Sequence, residues 1–142
     1  MEKVSLAILL NGMLEQDPLV PFSATASCYP YQIVAPPKSE ITWDVKLISL
    51  DSPLPAYIED YTVYIMGSPG EDLFQPPTTP TKKIAVDPYE IRWTCQRTTN
   101  PELKPGRYDY YISIRPPSSD LTDTDPAKGY IYKIDPLLVI SG

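Results

Sequence analysis

The chain contains no histidine. That removes the commonest general base and the commonest metal ligand, and with them His-dependent triads and His-containing zinc sites. Cysteine is almost as scarce: Cys28 and Cys95 are the only two, too few for a structural zinc site. The six glycines build neither a phosphate-cradling loop nor a G-x-S-x-G elbow. No apolar run approaches the roughly 20 residues that cross a bilayer as a helix. Basic residues are outnumbered 12 to 18, for a net charge of −6. Such a field repels phosphate backbones and anionic lipid, so neither nucleic-acid binding nor membrane insertion is expected. A carboxylate pair could in principle serve a glycosidase. With no nucleophile beside a base and no cofactor motif, the expectation is a protein that is not an enzyme and needs no cofactor.

Proline is what the chain has in excess, 18 in 142 residues. Proline cannot donate to a sheet ladder or sit inside a helix. Short elements joined by stiff loops are therefore expected, and no long helix. The length suits one domain over residues 1–142.

Alternation of apolar and polar residues marks the strands. Val4, Leu6, Ile8 and Leu10 share one face of Met1–Asn11, and Phe22, Ala24, Ala26 and Cys28 one face of Leu19–Tyr29. The rival reading of the first segment is a signal peptide ending at Ala24-Thr25-Ala26, but its Glu15–Pro18 spacer is long and acidic. Without a convincing export signal, a cytoplasmic or virion-associated protein is expected. Tyr31–Ala35, bracketed by prolines, is an edge strand at most. Ile41–Leu50 alternates most strictly, with Ile41, Trp43, Val45 and Leu47 inward. Tyr57–Gly67 turns Tyr61, Val63 and Ile65 inward and Tyr64 outward. The stiff run Gln75–Thr81 reads as a crossover, or as a PxxP ligand for an aromatic groove. In Lys82–Arg97, Ile84 and Val86 precede a break at Asp87-Pro88, read as a bulge or a switch between sheets. Beyond it Tyr89, Ile91, Trp93 and Cys95 face inward. Arg107–Arg115 and Gly129–Ile140 complete about seven main strands, joined by the loop Ser118–Lys128. The expected fold is all-β, a single antiparallel sandwich with Pro-rich loops.

One corner refines this. In Leu103-Lys104-Pro105-Gly106-Arg107-Tyr108, Pro105 fixes φ, Gly106 permits a positive φ, and Tyr108 brings a hydroxyl that needs a partner. The stretch resembles the corner before the sixth strand of fibronectin type III and related bacterial immunoglobulin-like domains. The resemblance implies that Leu103 packs into the core and that the Tyr108 hydroxyl bonds back to nearby backbone. A second resemblance is to true immunoglobulin domains, carried by Cys28, Trp43 and Cys95. There the pattern departs: Trp93, not a tyrosine, stands two residues before Cys95, and the corner follows Cys95. Both cysteines sit on inward faces, so a Cys28–Cys95 disulfide and two buried thiols are both open, the compartment favouring thiols.

Three readings of function remain. Termini that begin and end on strands suggest exposed edges that can pair with a neighbour, hence a protein-interaction or structural assembly module of a virion, filament or surface complex, with a protein partner or self-association. Outward Tyr64 and Tyr111 could form a platform for carbohydrate. Asp120, Asp123 and Asp125, in the loop before the last strand, could hold Ca²⁺ in an adhesion-type domain, although their spacing is not that of an EF-hand.

Overall fold

A computed structural model describes residues 2–14, 20–67, 71–75, 81–116 and 132–142. Ten strands run in chain order: β1 (Glu2–Leu14), β2 (Val20–Tyr29), β3 (Gln32–Ala35), β4 (Glu40–Ser49), β5 (Thr62–Gly67), β6 (Lys82–Asp87), β7 (Glu90–Thr98), β8 (Gly106–Arg115), β9 (Tyr132–Ile134) and β10 (Leu137–Ile140). They form two sheets, ordered β2-β1-β4-β7-β6 (sheet I) and β3-β10-β8-β5 (sheet II), with β9 also on β8. The fold is an all-β sandwich, as the alternation indicates.

The sandwich is not purely antiparallel. β1 runs parallel to β4, and β10 parallel to β3. Both pairs involve a strand at an end of the chain, placed in the sheet interior. β1 lies between β2 and β4, and β10 between β3 and β8. The expectation that the end strands are exposed edges is therefore overturned. A strand with fully buried Val4, Leu6, Ile8 and Leu10 gains most where neighbours on both sides extend its apolar row.

Those rows build the core. Cys28, Leu6, Val45 and Trp93 stand side by side across four strands of sheet I, and Val4, Trp43 and Cys95 form the next row. From sheet II, Val63, Ile65, Tyr110, Ile112, Ile114, Leu138 and Ile140 join the same cluster. Trp43, Phe74 and Tyr110 meet edge to face, with centroids 5.5, 5.8 and 5.9 Å apart. Each buried indole N–H finds an acceptor: Trp43 donates to the Tyr110 hydroxyl and Trp93 to the Tyr61 carbonyl, both at 3.2 Å.

Two open points are decided and two expectations corrected in detail. The cysteines are both free. They lie on the same face of the same sheet with β1 and β4 between them, a separation of about 14 Å at the usual strand spacing. A disulfide needs Cα atoms within about 7 Å, so no Cys28–Cys95 bridge can form. The break at Asp87-Pro88 is a reversal: β6 and β7 form an antiparallel hairpin, with a register shift between Ala85 and Asp87. The Asp87 carboxylate accepts from the Tyr89 amide at 2.7 Å and holds the turn, which leaves Tyr89 exposed instead of inward. That register puts Ile84 opposite the outward Arg92. The segment before β5 is not strand but a 3₁₀ turn, Ala56–Asp60. Finally, β9 and β10 lie along one edge of β8 in one continuous register, interrupted at Asp135-Pro136.

The corner behaves as its residues require. The Tyr108 hydroxyl donates to the Lys104 carbonyl at 2.8 Å. Gly106 takes φ 157°, a value that side chains with a Cβ rarely adopt. Leu103 is half-buried against the core.

Candidate functional site

The outer face of sheet II collects the outward tyrosines. Tyr64 on β5 pairs with Ser113 on β8, and Ser113 pairs with Lys133 on β9. Tyr111 stands two residues before Ser113, so alternation alone puts the two tyrosines on the same face. Neither ring is bare. The Arg115 guanidinium lies 5.2 Å from the Tyr64 centroid, and the Lys133 ammonium 5.0 Å from that of Tyr111. Each cation covers one π face and reduces what is left for stacking a sugar. Ser113 and Arg115, outward in the alternation, are 0% and 6% exposed, and the Ser113 hydroxyl has no hydrogen-bond partner. Asp120, Asp123 and Asp125 lie outside the described residues, as does 76–80 of the Pro-rich run. Among the described residues no group of three acidic or cysteine side chains is placed to hold a metal ion.

A cleft of about 460 Å³ opens between β5 and the far end of β7. Leu73, Phe74 and Ile65 give it an apolar floor; Glu71, Asp72 and Arg97 add charge. Arg97 organises it. Its Nε and Nη2 donate to the Gln75 carbonyl at 3.1 and 3.0 Å, and Nη1 to the Ile65 carbonyl at 2.8 Å. The guanidinium thus ties β7 of sheet I to β5 of sheet II, and it also lies 5.5 Å from the Phe74 centroid. Burial lowers its pKa from the ordinary arginine value. Sequence reasoning passed over this residue, although the signal was present. Ile91, Trp93 and Cys95 alternate inward, and one more step of two lands on Arg97, opposite the buried Ile41. Cys95, also on the cleft, is closed to ready ionisation: burial pushes its thiol up to about 11, although the Thr81 hydroxyl, which donates to Sγ at 3.6 Å, works in the opposite direction.

The sheet edges form the third feature. Sheet I ends at β2 and β6, sheet II at β3 and β5. Among the described residues, the exposed large apolar side chains are Tyr29, Tyr31, Val34, Leu50, Ile84, Val86 and Tyr89. All but Leu50 lie on β2, β3 or β6 or on the turns that leave them. Leu50 follows β4 beside the β6–β7 turn, where the Ser49 amide donates to the Tyr89 carbonyl at 2.8 Å. All six residues of β6 are exposed. Even its inward-side residues Lys83 and Ala85 border an open groove beside Glu59 and Asp60. β6 therefore overhangs the rest of the sandwich.

No family model matches the chain, and no curated protein matches it. Among solved structures the chain is similar to the cysteine protease inhibitor EhICP2 from Entamoeba histolytica, at 11% identity and a TM-score of 0.43, with 96% of each chain covered.

Proposed function

We propose that residues 1–142 form one non-catalytic module for protein interaction or structural assembly, and that it binds through the edges of its sheets. The observation that supports this reading is the gathering of exposed large apolar side chains at β2, β3 and β6, beside backbone groups that no further strand pairs among the described residues. An edge strand offers a row of N–H and C=O groups to an incoming strand, and the flanking apolar side chains give that strand something to bury. The fibronectin-type corner fits such a role but is shared by sandwiches of many functions. Panning a displayed peptide library against the immobilised chain tests the proposal. Enrichment of peptides with alternating apolar residues, whose binding is lost on Val34→Lys or Ile84→Lys, is expected. A library that yields no binders, or binders indifferent to both substitutions, overturns it.

A further inference from the structure

We infer that β6 is the seam of a two-fold symmetric dimer, in which two copies of this chain pair their β6 strands antiparallel and join two five-stranded sheets into one. The inference rests on the edge-binding reading and names its partner as a second copy. Three observations carry it. β6 is paired on one side by β7 and is the last strand of sheet I. It is also the edge where apolar exposure is concentrated: Ile84 is 62% and Val86 44% exposed, with Tyr89 and Leu50 at the adjoining end. Most telling is the charge order. Lys82 and Lys83 occupy one end of the strand and Asp87 the other.

Lysines on an edge strand, and a bulge beside them, ordinarily discourage pairing. Here the lysines discourage it selectively. A strand that brings a basic residue opposite Lys82 and Lys83 is repelled. A second β6 running antiparallel about a two-fold axis near Ala85 brings Asp87 to that end instead, and the symmetry makes the match twice. The same arrangement sets Ile84 and Val86 of one copy beside those of the other, at cross-strand distances where apolar pairs stabilise a sheet. Because the contact uses the same surface from both copies, it closes at two and does not propagate.

Sedimentation velocity of the full chain over a range of concentrations tests this. A reversible dimer is expected. Lys82→Glu combined with Lys83→Glu sets acid against Asp87 and should weaken it by about tenfold or more, as like charges do across an interface. Ile84→Lys should give a monomer whose melting temperature matches that of the native chain at dilutions where the native chain is also monomeric, because Ile84 is exposed and outward. Cysteine scanning locates the seam, with the native chain as the blank for its own two thiols. Opposed residues in an antiparallel pair lie about 4.5–5.5 Å apart, within disulfide reach. Mild oxidation should link Ala85→Cys chains into dimers and leave Ser27→Cys, on the opposite edge, unlinked. A chain that stays monomeric at its solubility limit overturns the inference. So does a dimer indifferent to the β6 substitutions, or one linked through Ser27→Cys. Monomeric chains that still select edge-binding peptides would remove the dimer and leave the protein-interaction reading standing.

Discussion

At the scale of single residues, Arg97 does more for the assembly of the two sheets than its place on an alternating strand suggests. Three donors on one planar group reach two carbonyls from different segments, a geometry that lysine cannot copy. Arg97→Ala should cost about 2–4 kcal/mol, because it also strands the Ile65 and Gln75 carbonyls in a half-buried site. Arg97→Lys should recover only a minor part. The urea midpoint of the two variants checks this; a lysine variant as stable as the native chain would remove the forked contact as the cause. Tyr108→Phe should cost about 1 kcal/mol through the lost bond to Lys104, a small effect because that hydroxyl is near solvent. The corner was legible because its chemistry is local: Pro105, Gly106 and Tyr108 act within six residues. Arg97 was harder to see, since its acceptors lie 22 and 32 residues away in sequence.

At the scale of elements, the strands were legible and their neighbours were not. Period-two alternation marks β1, β4, β7 and β8 and turns the right side chains inward, because one buried face dictates the register. The same pattern is silent about which strand lies next to which. It was silent, too, about the Asp87-Pro88 break, since a bulge, a sheet switch and a tight hairpin all interrupt an alternation in the same way. The position of β1 carries the clearest prediction. Leu6 is 1% exposed in the middle of a four-strand row, so Leu6→Ala should lower stability by about 2–4 kcal/mol. A chain that begins after Leu14 should not fold, as judged by the loss of dispersed amide resonances. A folded truncated chain would mean that β2 can close directly on β4, and the assigned strand order would be wrong.

At the scale of the whole molecule, a buried thiol and a buried phenol contribute to the response to alkali. The Cys95 thiol is raised from its ordinary 9.0 to about 11 by burial, and burial also raises Tyr110. In the unfolded chain Cys95 loses its proton first. Between pH 9 and 11 the unfolded state therefore gains on the folded one, and stability should fall by about 1.4 kcal/mol per pH unit from this group. Below pH 9 the contribution is constant. Denaturation midpoints from pH 8 to 11 should show that slope in the native chain and a flatter one in Cys95→Ala. Equal slopes would exclude Cys95 as the source. Reducing agent should leave the melting temperature unchanged, and labelling under native conditions should reach the half-buried Cys28 before Cys95.

The interior placement of β10 has a consequence for the order of events in synthesis. Sheet II has a gap between β3 and β8 until Leu137–Ile140 arrives to fill it. A ribosome-bound chain shorter than that holds two unsatisfied strand margins and an open core, whatever residues come after. Sheet II therefore cannot be completed until residue 140 has cleared the exit tunnel. Premature termination, even within the last few codons of this region, would release a sticky intermediate in place of a slightly shortened protein.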